Sequence, residues 1–142
     1  MQFVAKLLLV LALLSTAFGQ TGTVTIYRTH DSMWSQTVPV LVDGVKLASF
    51  ERGTYLVLAL SLGRHRLAVD WDRGPQLTLE VGSVPQFVRI DFGYQGLHGL
   101  HPCCVDTVDP STAAAQLHKT RRLPDRRVTA PNLVSNATAE QP

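Results

Sequence analysis

The residues best suited to chemistry stand close together, in the run His98-Gly99-Leu100-His101-Pro102-Cys103-Cys104. Imidazole nitrogen and thiolate sulfur are the donors that zinc prefers, so His98, His101, Cys103 and Cys104 supply four suitable ligand types. The spacing is awkward for that role. Adjacent residues are hard to set at two corners of one tetrahedron, and the usual Cys-x-x-Cys separation is missing. Oxidation is the other chemistry open to paired cysteines, and an oxidising compartment would favour it. Adjacent Cα atoms lie about 3.8 Å apart, below the usual span of a disulfide, so a bridge between neighbours distorts the peptide that joins them. The remaining alternatives are bridges to another chain, or one Cys buried as a small apolar residue and the other near the surface.

A second group lies in the polar stretch Thr29 to Thr37, where His30 and Asp31 precede Met33 and Trp34. An exposed Trp combines apolar area with an N–H donor, which suits a protein or sugar contact. The competing reading folds Trp34 back as a plug for the end of the fold. Elsewhere the signals for catalysis are absent. Asp70, Asp72, Glu80 and Asp91 are scattered, no Ser stands in a nucleophile elbow, and His65 reads as a packed histidine bonded to backbone. The chain is therefore expected to be non-catalytic and to need no cofactor. Lys119, Arg121, Arg122, Arg126 and Arg127 form a basic cluster that could touch anionic lipid or polysaccharide, or could simply be a solvated helix end and tail. Asn136-Ala137-Thr138 is a glycosylation sequon, which matters in a eukaryotic secretory host.

These groups must be held by something, and the periodicity says by strands. Residues 1–19 read as a cleaved signal peptide, with Lys6, an apolar core from Leu7 to Leu14 and a small-x-small site at Ala17-Phe18-Gly19. The apolar run is too short to cross about 30 Å of hydrocarbon, so no transmembrane span is expected in the mature chain. Removing this segment takes away Lys6 alone, leaving 12 of the 13 basic residues against 11 acidic ones, a net charge of +1. A near-neutral body gives no electrostatic case for nucleic acid. Residues 20–109 then read as a β-sandwich. Thr23 to Arg28 is a first strand. Asp43-Gly44 is the strongest hairpin signal, because both residues tolerate φ > 0. It is expected to pair Val42 with Val45 and Val40 with Leu47, placing Val38, Val40, Val42, Val45 and Leu47 on one face and Ala48 on the other. Thr54 to Leu60 is apolar on both faces, as in a covered strand.

Arg64 to Trp71 alternates, and its pattern matches that of Gln76 to Val81 if Trp71 faces Leu77. Gly82-Ser83 is expected to be a two-residue hairpin turn joining Val81 to Val84, with Val88, Ile90 and Phe92 continuing inward. Val105 to Val108 reads as a last short strand. Asp109-Pro110 offers an N-cap and a helix start, predicting a helix over 110–122 with basic residues in its last turn. Residues 123–142 read as a disordered tail. The fold class expected is an all-β antiparallel sandwich of about seven strands.

The succession Val24-Thr25-Ile26-Tyr27-Arg28, Leu41-Val42-Asp43-Gly44, Gly53-Thr54-Tyr55 and Leu62-Gly63-Arg64-His65-Arg66-Leu67 resembles a bacterial family of secreted domains of unknown function. That family is often found in envelope lipoproteins and is similar in layout to PEGA-type β-sandwich modules. The resemblance covers about Gly22 to Val108. Leu62 stands where the family's turn has Pro, and no Cys follows the apolar core where the family carries its lipid anchor. The resemblance implies no catalytic residue. The function expected is a non-catalytic secreted or periplasmic binding or assembly module whose partner is an envelope protein or glycan. The alternative is a thiol or metal-binding envelope protein using His98, His101, Cys103 and Cys104.

Overall fold

A computed structural model describes residues 19–31, 35–72, 74–94, 100–124 and 127–134. Among them the chain is all-β, with two packed sheets and one short helix. The first sheet has the order β8-β7-β1-β4-β9 and the second β3-β2-β5-β6. In chain order these are β1 (Thr21–Arg28), β2 (Val38–Val42), β3 (Val45–Phe50), β4 (Thr54–Ser61), β5 (Gly63–Val69), β6 (Gln76–Val81), β7 (Gln86–Tyr94), β8 (Leu100–Val108), helix α1 (Pro110–Leu117) and β9 (Arg121–Arg122). The first sheet is mixed rather than purely antiparallel: β1 pairs β4 antiparallel, with Ile26 opposite Leu56, and β7 parallel, with Ile26 beside Val88.

Alternation fills the space between the sheets. Val24, Ile26, Leu56, Leu58, Leu60, Val88 and Ile90 face in from the first sheet, and Val38, Val40, Val42, Phe50, Leu67, Val69, Leu79 and Val81 from the second. Each such side chain contributes roughly 1.5–3 kcal/mol of burial. The outer face of β1 is covered as well. Tyr27 is buried and donates from its hydroxyl to Gln116 Oε1 of α1 at 2.6 Å. Burial raises the Tyr27 hydroxyl above its usual pKa, with Asp91 and Asp109 adding to the rise and Arg89 opposing it.

The Asp43-Gly44 turn forms as expected, with Val42 opposite Val45 and φ of +50° and +80° at its two residues. The register beyond it differs. Val40 faces Ala48, not Leu47, because a bulge leaves Leu47 as an extra residue in β3. Leu47, Ala48 and Phe50 all become buried while Val45 stays 55% exposed. The bulge has a use: freed from β2, the Leu47 carbonyl accepts the N–H groups of Thr129 and Ala130.

At the next turn Leu67, not Trp71, lies opposite Leu77. The strand stops at Val69: the N–H of Asp70 still reaches β2 at Pro39 O, but that of Trp71 folds back to Val69 O. Trp71 is half-buried against the core. Gly82-Ser83 is not a hairpin turn but part of a crossover, because β6 and β7 belong to different sheets, and Val84 is left 69% exposed. Strand β8 is longer than the expected Val105 to Val108, because it pairs with β7 along its whole length.

Asp109 caps α1 as expected, accepting from Thr112 N at 3.0 Å. The helix ends at Leu117, short of the expected 122, and its last turn holds no basic residue. Arg121 N–H and Leu123 N–H instead bond the carbonyls of Gly53 and Tyr55, drawing the chain in as β9 along β4. Beyond 122 the described residues are not a loose tail. Leu123 and Ala130 are buried, Val128 bridges to Ala48 and Val134 to Leu58, so sparse apolar residues close the side of the sandwich between β4 and β3. Among the described residues no helix is long and apolar enough to cross a membrane. The expected signal peptide, Met33, Trp34, His98, Arg126 and the sequon lie outside the described residues, Gly19 apart.

Candidate functional site

The sandwich has two ends, and each carries a polar assembly. At the first, β1 finishes at Arg28 opposite Thr54, where the Thr29 to Thr37 loop departs. Arg28 points inward like Val24 and Ile26, and it is 0% exposed. Its guanidinium donates from Nη1 to the carbonyl of Gln36, near the loop's return, and to that of Phe50 at 3.2 Å. It also sits 4.3 Å from the centroid of the Phe92 ring. Burial lowers its pKa to about 10, with the nearby charge of Arg52 adding to the fall. It remains a cation at neutral pH, stabilised by backbone oxygens and an aromatic face. The loop's return is thus tied to the core by a buried charge. His30 and Asp31 are exposed above it. Gly53, at φ +64°, lies beneath His30, and an added Cβ would come within 3.2 Å of that ring.

The cysteines lie towards the same end. Phe92 pairs with Pro102 and Asp91 with Cys104, so Cys103 is the extra residue of a bulge in β8. Cys103 and Cys104 are joined to each other in a vicinal disulfide, with Cα atoms 3.7 Å apart. Gly93 makes room for it, since a Cβ there would meet Cys103 Sγ at 3.0 Å. Bridged sulfurs offer no thiolate, which metal ligation requires. Among the described residues no group of three or more His, Cys, Asp and Glu could hold a metal ion. His101 stands in β8 at the position paired with Gly93.

The opposite end brings together three residues that sequence reading left apart. His65 Nδ1 lies 2.6 Å from Asp43 Oδ2, and its Nε2 lies 2.7 Å from the Ser61 carbonyl and 3.3 Å from Ser61 Oγ. Asp43 Oδ1 accepts the Arg66 N–H at 2.8 Å. These are the residue types of an acyl-transfer triad, in a different arrangement. A base must take the hydroxyl proton on Nε2, and here Nε2 is closer to a carbonyl, to which it can only donate. Burial would lower the His65 pKa; the hydrogen bond to Asp43, that to the Ser61 carbonyl and the charges of Asp43 and Glu80 outweigh it and raise the value. The expected packed histidine is therefore present, half-buried, with one carboxylate partner as well as its backbone one. A signal for it existed in the Asp of the β2–β3 turn and the Ser-x-x-x-His spacing across the next one.

No family model, curated protein or solved structure matches this chain.

The basic cluster is partly neutralised within the fold. Glu51 receives Arg121 Nη2 at 2.7 Å and Arg127 Nη1 beside it. Burial pushes the Glu51 carboxyl up, and the hydrogen bonds and charges of Arg127 and Arg121 outweigh it, holding the group below the usual carboxylate range. Two members of the cluster thus fasten the C-terminal segment beside β4.

Proposed function

We propose that this chain is a non-catalytic secreted or periplasmic binding or assembly module, PEGA-like in layout, that presents the Thr29 to Thr37 loop to an envelope protein or glycan. The observation that supports this most is Arg28. A buried cation is costly to keep unless it is well satisfied, and here it is spent on securing the base of a loop whose His30 and Asp31 face solvent. Binding residues carried on loops that a scaffold holds at the base are a common arrangement.

The test compares wild type, Trp34→Ala and the double variant His30→Ala/Asp31→Ala for capture of partners from an envelope extract, with thermal unfolding measured alongside. Loss of capture at unchanged stability supports a binding loop. A stability loss of about 3–5 kcal/mol in Trp34→Ala with capture intact means that Trp34 plugs the sandwich. No change in either quantity moves the binding surface elsewhere.

A further inference from the structure

The end of the sandwich that holds Asp43, His65 and Ser61 lies opposite the Thr29 to Thr37 loop. Ser61 is the last residue of β4 in the first sheet, whereas His65 and Asp43 belong to β5 and the β2–β3 turn of the second. One imidazole ring therefore links the two sheets across the turn at Leu62 and Gly63. It does so through two hydrogen bonds whose acceptors are both oxygens: a carboxylate on Nδ1 and a carbonyl on Nε2. A neutral imidazole carries one N–H and can serve only one of them; the imidazolium carries two. We propose that Asp43, His65 and Ser61 form a proton-operated clamp, closed while the imidazole is charged and half-released when it is neutral.

The surrounding charges favour closure. Asp43 faces the ring from the β2–β3 turn, and Glu80 lies on the neighbouring β6. On the ring's own strand, Arg64 is drawn towards Glu80 at 3.8 Å and Arg66 is spent on Gln76 Oε1, while Lys46 is exposed beyond the turn. The Asp43 carboxyl is pushed up by burial, but the Arg66 N–H and then the His65 hydrogen bond and charge outweigh this and lower it. A raised histidine stabilises the fold below its usual value of about 6.5 and loses that contribution as pH climbs through its folded value. A lowered carboxyl stabilises above about 3.9 and loses that contribution as pH falls through its own folded value. The clamp is thus tightest between the carboxylate and histidine ranges and loosens towards neutral and alkaline pH.

The experiment follows the imidazole Cε1 resonances of the full chain by NMR from pH 5 to 9, with Tm recorded over the same range for wild type, His65→Gln and Asp43→Asn. His65 is expected to titrate above the ordinary histidine value, Tm to fall as pH rises through that midpoint, and the fall to shrink in both variants. Amide exchange at residues 61–66 should quicken over the same interval in the wild type. A His65 midpoint at or below the ordinary value, or an equal Tm slope in wild type and variants, overturns the proposal. If neither variant folds, the wild-type titration and exchange decide it alone.

Discussion

Replacing Arg28 by Met is the sharpest probe of the loop-bearing end. The side-chain volume is nearly kept, so little cavity opens, and what is lost is the charge and its donors. Two hydrogen bonds from a charged group are worth about 1.5–3 kcal/mol each, and a desolvated cation over an aromatic ring about 2 more. Against this stands the cost of burying the guanidinium, several kcal/mol, which the variant no longer bears. For many buried ion pairs that exchange is neutral or favourable. Here the acceptors are main-chain carbonyls, and that of Phe50 is left inside the fold without this donor, which costs about 1–3 kcal/mol. The balance comes to a loss of about 2 kcal/mol, or roughly 8 °C in Tm at about 4 °C per kcal/mol for a domain of this size. Differential scanning calorimetry reads the first quantity. Hydrogen exchange at Ser35, Gln36 and Thr37 reads the second consequence, a loop whose return is no longer held. A variant as stable as wild type, with unchanged exchange there, would refute the assignment of Arg28 to the loop's base.

Two further substitutions test the packing. Gly22→Ala drives a Cβ into the carbonyl oxygen of Gly82 and to within 2.6 Å of Val81 Cγ1, so backbone must shift, and urea unfolding should show a loss of about 1–3 kcal/mol. Cys103→Ser with Cys104→Ser should leave a single cooperative unfolding transition, because the strand pairing of β7 and β8 runs on both sides of the bulge; loss of cooperativity, or stoichiometric zinc in wild type purified without a His tag, would reverse that reading.

The features legible in the sequence are those fixed by neighbours. The β2–β3 turn needed only Asp43-Gly44, the cap of α1 only Asp109, and the inward face of β1 only the alternation of Val24 and Ile26. What escaped was decided at a distance. Gly82-Ser83 has the same local chemistry whether the next strand folds back or crosses over, and the parallel pairing of β7 with β1 settles it. The bulge at Leu47 is answered by Thr129 and Ala130, which composition assigned to a loose tail. Arg28 sits at an inward position of its strand, but alternation alone gives no hint that an arginine there would donate to the carbonyls of Phe50 and Gln36. Asp43 and His65 were visible in a turn and on a strand, while Ser61 fell just past the expected Thr54 to Leu60 strand; the three meet only because β4 and β5 fold into separate, packed sheets.

That parallel pairing also sets a schedule. A chain made from its N-terminus delivers β1 early, and β4 can zip onto one of its edges as soon as the intervening hairpin has formed. The other edge waits for β7. Until then β1 presents a row of open N–H and C=O groups beside Val24 and Ile26, the kind of edge that other chains can extend. Closing it demands a long loop rather than a local turn, a step that is slow for entropic reasons. The interval before β7 arrives is when this protein has most need of a chaperone, and truncation ahead of Gln86 should yield aggregate rather than a smaller domain.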